Sequence, residues 1–211
     1  MADYTHLYKV VTVGNSGVGK TSCLERFIYN KFDEHCPTTI GVEFFVKSML
    51  LKNDKCIKLQ VWDLGGQDKF TNIVKSYFRN IDGGILVFDL TNRQTFNDLR
   101  NWMERIKEST GSNDDIQFVL VGNKCDLTNF IAVSDEEIRN FVEEYSLNIS
   151  QFFKTSAKDN VNISTVFNDL ANAIYYHYEA KGMKDKGMVG VDLSTIHLGQ
   201  QTITSSFCCG F

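Results

Sequence analysis

Residues 14–22 read GNSGVGKTS and stand between a β-rich run, YKVVTV (8–13), and KTSCLERFIYN (20–30), whose apolar residues recur at helical spacing. The stretch contains G-x-x-x-x-G-K-[ST], and a strand before it with a helix after it is the context that gives the pattern meaning. Gly14, Gly17 and Gly19 let the backbone wrap closely around a diphosphate with its N–H groups pointing inward. The positive end of the following helix adds to the attraction. Lys20 then supplies a point charge for the β and γ oxygens, and Thr21 offers a hydroxyl to Mg²⁺. Such a loop implies a nucleoside triphosphate and leaves the base open.

Outward from the loop, short β-rich runs alternate with longer amphipathic stretches, and no internal repeat is visible. Strands are predicted over YKVVTV (8–13), EFFVKSMLL (43–51), KCIKLQVW (55–62), GGILVFDL (83–90), IQFVLVG (116–122) and QFFKTSA (151–157). Helices are predicted over 20–30, 92–108, 134–146 and 164–178, with a partial pattern in FTNIVKSYFRN (70–80). Ser134 and Glu137 have the spacing of a capping box. The linker KND (52–54) is too short for a crossover, so its two strands must pair antiparallel, whereas strands separated by helices should be parallel. The predicted architecture is α/β, a P-loop NTPase fold with a six-stranded, mostly parallel sheet, one antiparallel edge strand and helices on both faces. Ligands of such sheets bind at the carboxyl ends of the strands.

The chain of 211 residues carries 26 acidic against 22 basic side chains, a net charge of −4, with no basic cluster. That balance offers no general attraction to nucleic acid or anionic lipid. The start MADYTHLYKVV lacks a basic-then-apolar leader, Ala2 excludes the glycine needed for myristoylation, and runs such as GGILVF (83–88) are too short to span a bilayer. The expectation is a cytoplasmic body with free thiols at Cys23, Cys36, Cys56 and Cys125. Asn148-Ile-Ser and Asn162-Ile-Ser match glycosylation acceptors that such a chain would not use, and the four histidines show no metal-ligand spacing.

The base is chosen by NKCD (123–126), which closes the apolar run FVLVG. A carboxylate at Asp126 accepts from both N1–H and the 2-amino group of guanine, whereas adenine would leave it unpaired. Asn123 is placed to brace the phosphate loop, and the Lys124 stem to lie along the base. TSAK (155–158) follows another strand, with the Ala157 N–H available to guanine O6.

With these motifs in sequence, residues 7–180 resemble a Ras-superfamily small GTPase of the Rab family. TIGVEF (39–44), KLQVWD (58–63), YFRN (77–80), VFDLT (87–91) and the paired terminal cysteines carry the Rab likeness. The resemblance implies nucleotide contacts from Asn15, Ser16, Gly17, Val18, Gly19, Lys20, Thr21 and Ser22. It implies the same for Phe32, Thr39 and Gly66, and for Asn123, Lys124, Asp126, Ser156, Ala157 and Lys158. Thr21 and Thr39 would ligate Mg²⁺ and Asp63 would reach it through water; Gln67 would orient the attacking water, with Lys20 neutralising charge. One segment departs: Rab proteins usually read W-D-T-A-G-Q-E, and this chain reads WDLGGQD (62–68). Leu64 and Gly65 give a start to switch II closer to the Arf family, and the extra glycine is expected to loosen it. FDEHCPTTIG (32–41) holds no arginine, so fast turnover would need one from a GTPase-activating protein.

Residues 181–211 read as a flexible tail on a GTPase domain at 1–180, ending in CCGF. That ending fits geranylgeranyl groups on both Cys208 and Cys209, and also C-a-a-X on Cys208. Two lipids are favoured, because one holds a chain only marginally and the tail has too few net positive charges to help. The implied protein is a monomeric GTP/GDP switch in membrane trafficking on the cytosolic face of an endomembrane compartment. Its implied partners are an exchange factor, a GTPase-activating protein, a GDP-dissociation inhibitor, a prenyltransferase with its escort protein, and effectors. A GTP-binding scaffold with negligible hydrolysis is the alternative raised by Leu64 and Gly65. A metabolite kinase would explain the phosphate loop but not NKCD or the tail.

Overall fold

Strands buried on both faces need apolar residues at every position, and VVTV and GGILVF have that character. In a computed structural model, which describes residues 6–66, 76–111, 115–146 and 148–182, they form the middle of one six-stranded sheet. The strands are β1 (His6–Val13), β2 (Val42–Leu50), β3 (Cys56–Leu64), β4 (Gly83–Asp89), β5 (Gln117–Asn123) and β6 (Ile149–Lys154), in the order β2-β3-β1-β4-β5-β6. Every neighbouring pair is parallel except β2 with β3, which runs antiparallel from Val42↔Leu64 to Leu50↔Cys56. The short KND linker is the cause, as expected.

The described helices are α1 (Lys20–Tyr29), α2 (Arg93–Asn97), α3 (Leu99–Thr110), α4 (Asp135–Glu144) and α5 (Ile163–Ala180). Alternate strand residues face opposite layers. Val10, Ile85, Val87, Val119 and Val121 pack with Leu24, Phe27 and Phe167 of α1 and α5. Val11, Val13, Leu86, Phe88 and Leu120 pack with Leu99, Trp102, Ile106 and Phe141 of α3 and α4. The capping box at α4 is present: the Ser134 N–H donates to Glu137 Oε2 (3.0 Å) and the Glu137 N–H to Ser134 Oγ (3.3 Å).

The helix predicted over 92–108 is present as α2 and α3. Asp98 between them keeps helical backbone angles, with its N–H on the Gln94 carbonyl (3.0 Å), and its carboxylate accepts from Gln94 Nε2 and Asn15 Nδ2. Of the partial pattern at 70–80, residues 70–75 lie outside the described set; beyond it Phe78 and Ile81 are buried.

Phe167 stacks on Phe27 with ring centroids 3.9 Å apart and is 2% exposed. Replacing it by alanine is expected to remove about 3–5 kcal/mol of unfolding free energy. Tyr176→Ala, on the outer side of the same helix, should cost under about 1 kcal/mol. Urea titrations with unchanged slope would measure both.

Candidate nucleotide-binding site

The segments that follow the carboxyl ends of β1, β3, β5 and β6 open into one cleft of about 340 Å³. The phosphate loop forms its floor. Gly19, at φ +92°, ends the loop in a conformation that side-chain-bearing residues rarely adopt, and a Cβ there would lie 2.3 Å from Asn123 Nδ2. Glycine therefore leaves the first N–H groups of α1 without a side-chain cap, available to an anion.

Lys20 folds back over this floor. Its Nζ donates to the carbonyls of Gly14 (2.8 Å) and Asn15 (2.9 Å), and the side chain is buried. Burial lowers its pKa to about 8, against the opposing pull of Asp63. A phosphate in the loop would reverse that penalty by pairing the ammonium.

Asp63, at the end of β3, is wholly buried. Thr12 Oγ1 donates to its Oδ1 (2.5 Å) and Thr21 Oγ1 to its Oδ2 (2.5 Å). Burial raises the Asp63 pKa, while the hydrogen bonds from Thr12 and Thr21 and the Lys20 charge oppose the rise. The Thr39 hydroxyl completes the group, 2.6 Å from that of Thr21. The Thr21 and Thr39 hydroxyls and the Asp63 carboxylate are hard oxygen donors gathered in one place, so the residues fit that class of ion, Mg²⁺. Among the described residues there is no competing cluster of three His, Cys, Asp or Glu side chains able to hold a metal.

At the base end, Asn123 braces the loop as its position implied. Its Nδ2 donates to the Val18 carbonyl (2.9 Å), and its Oδ1 accepts from Thr155 Oγ1 (3.2 Å) and the Ala157 N–H (3.3 Å). Arg26 of α1 holds the same loop from outside, donating from Nε to the Ala157 carbonyl and from Nη2 to that of Lys158. Its guanidinium lies 5.9 Å from the Phe32 ring centre. Lys124 is fixed by Asp89 (2.6 Å), and Lys158 reaches across the mouth to Glu34 (2.6 Å).

Of the residues expected to bind nucleotide, Ser16, Gly17, Gly19, Lys20, Thr21 and Ser22 line the cleft. Phe32, Thr39, Gly66, Asn123, Lys124, Asp126, Ala157 and Lys158 complete the wall. Three others turn their side chains elsewhere. Ser156 is buried and accepts from the Asp159 N–H (2.9 Å), Val18 is buried in the core, and the Asn15 amide faces the α2–α3 junction. Gln67 lies outside the described residues. Thr12, Arg26 and Glu34 were not singled out from the sequence, because the partners named here lie 51 to 132 positions away and no local pattern marks them.

The unusual WDLGGQD segment is accommodated by packing. Leu64 is 1% exposed in the second core layer. Gly65 is also buried, its N–H donates to the Gly41 carbonyl (2.9 Å), and a Cβ would stand 2.7 Å from the Thr39 carbonyl. Where the sequence suggested looseness, Gly65 permits a close approach between the two switch segments.

A mostly parallel sheet with a glycine-bordered phosphate loop at the end of a central strand defines a P-loop nucleotide-binding protein. Residues 9–176 match the Ras family model. The chain is 41% identical over 174 residues to a Dictyostelium discoideum protein described as Ras-related protein Rab-11B, covering 82% of this chain and 76% of that one. It is 36% identical over 209 residues to Ras-related protein RABA1c of Arabidopsis thaliana, covering 93% and 94%. With bovine Ras-related protein Rab-3C it shares 40% over 172 residues, 82% and 73% of the two chains. The chain therefore belongs to the Ras family, among its Rab GTPases, which bind guanine nucleotides and hydrolyse GTP.

Asn123→Ala would leave the buried Val18 carbonyl and the Thr155 and Ala157 donors without this partner. Loss of about 1–3 kcal/mol is expected in urea unfolding of the nucleotide-free protein, together with faster GDP release.

Proposed function

We propose that this protein is a lipid-anchored switch in membrane traffic, recruiting effectors while GTP is bound. The observation that carries the reading is the convergence of the Lys20 floor, the Thr21 and Thr39 hydroxyls with Asp63 bonded behind them, and Asp126 in and around one cleft. In this reading the loop N–H groups and Lys20 hold the phosphates, and Asp126 reads N1–H and the 2-amino group of guanine. Mg²⁺, when bound, would neutralise charge on the β and γ phosphates. Thr39 and Gly66 would then sense the γ-phosphate, and its loss would release both segments. Gln67 would position the attacking water, and a GTPase-activating protein would supply the missing arginine. An exchange factor, a GDP-dissociation inhibitor and effectors complete the cycle. No helix of the described residues is long and apolar enough to cross a membrane. Attachment to the cytosolic face of an endomembrane would fall to Cys208 and Cys209, which lie outside the described residues, after prenyltransferase and escort protein act.

The base assignment is tested by nucleotide titration. Wild type should bind GDP and GTP far more tightly than ATP. Asp126→Asn should shift preference toward xanthine nucleotides, because an amide donor suits the 2-oxo group. Equal affinity of the wild type for ATP and GTP would overturn the assignment.

The anchor is tested by intact mass and membrane fractionation from a eukaryotic host. Two geranylgeranyl adducts on wild type, partial membrane binding in the Cys208→Ser and Cys209→Ser singles, and a soluble double variant are expected. A single adduct confined to Cys208 would point instead to C-a-a-X processing.

A further inference from the structure

The Asn15 side chain belongs to the phosphate loop yet points away from the cleft, and both ends of its amide are engaged. Nδ2 donates to Asp98 Oδ2 at 2.6 Å, and Oδ1 accepts from the indole Nε1–H of Trp102 at 3.0 Å. Trp102 is 5% exposed within the second core layer, so its N–H has little water to turn to. The other Asp98 oxygen accepts from Gln94 Nε2 at 2.8 Å, which fixes the carboxylate. Asp98 and Trp102 are four residues apart and joined by a Trp102 N–H to Asp98 carbonyl bond of 3.2 Å, so they stand one turn apart on one helix face. Together they form a rigid two-point grip.

The backbone of the gripped residue is closely approached by two other parts of the site. The Asn15 carbonyl accepts from Lys20 Nζ at 2.9 Å. Gly66 rests against the same peptide: a Cβ on it would lie 2.3 Å from Ser16 N and 2.4 Å from Asn15 C. A shift of a few tenths of an ångström in Asn15 is therefore felt by the lysine and by the first residue of switch II.

We propose that Asn15 is a positioning residue for nucleotide retention, holding the phosphate loop from outside through Asp98 and Trp102 without touching nucleotide through its side chain. The proposal rests on the nucleotide-binding reading of the cleft. It requires an amide here rather than a carboxylate, because aspartate would set two negative groups at 2.6 Å while leaving the indole bond possible. The α2–α3 surface thereby acquires a mechanical link to the loop.

The experiment measures release of a fluorescent GDP from the full-length protein, for wild type, Asn15→Asp, Asp98→Asn, the double variant and Trp102→Phe. Asn15→Asp is expected to release nucleotide at least about tenfold faster, since a charge-assisted bond becomes a repulsion. Adding Asp98→Asn should bring the rate back to within about threefold of wild type, because amide and carboxylate have exchanged places. Trp102→Phe should accelerate release by about three- to tenfold while leaving the guanine-over-adenine ratio unchanged. A residue that mattered only to folding would show no such rescue. Wild-type release from Asn15→Asp, or failure of Asp98→Asn to rescue it, overturns the proposal. Should Asn15→Asp not fold, Trp102→Phe decides alone, and an unchanged rate there overturns it. The rates are read with whichever nucleotide the wild type retains, so a lost guanine preference would fall on the proposed function and not on Asn15.

Discussion

A single buried amide, that of Asn123, joins the parts on which the site depends. It closes β5, holds the Val18 carbonyl of the phosphate loop, and accepts from Thr155 and Ala157 of the segment after β6. These three stretches come from the beginning, middle and later part of the chain, and an unpaired amide in this position would cost more than its bonds contribute. The constraint also reaches Gly19: the strut passes so close that only glycine can end the loop there. Phosphate loop and base-reading segment are thus one object, and the sheet order that places β5 two strands from β1 is what allows it.

The charges of the site are arranged for ligands of both signs. Lys20 and Asp63 are each buried, and burial alone moves both pKa values toward neutral forms. Anionic phosphate on one and a divalent cation near the other would relieve those penalties, so binding energy is coupled to restoring charge. Among the described residues, the switch segments are tied down by the Lys158–Glu34 ion pair, the Thr39 hydroxyl on Thr21, and the Gly65 N–H on the Gly41 carbonyl.

The alternation of strands and helices, the antiparallel edge pair and the Ser134 box were all legible locally, because periodicity and linker length are local properties. So were the motif residues that line the cleft, since chemistry at fixed spacing needs no knowledge of the fold. The bond between Asp98 and Asn15 was not, since the two residues lie 83 positions apart in the chain. The close approach at Gly65 was not legible for a similar reason: a glycine reads as backbone freedom in sequence, and the Thr39 carbonyl that a Cβ there would meet is supplied only by the fold.

By itself, then, the sequence determined the fold class, the phosphate loop and the position of the carboxylate proposed to read the base, since each rests on residue type and short spacing. Only the tertiary structure decided which loop residues face the ligand and which face the scaffold. Asn15, Val18 and Ser156 lie inside nucleotide-binding motifs, yet their side chains serve the protein. Thr12, Arg26, Asp98 and Trp102 lie outside those motifs, yet they hold the site in place. The physical reason is that a side chain's direction is set by whatever the fold brings beside it, and those neighbours are tens of residues away along the chain.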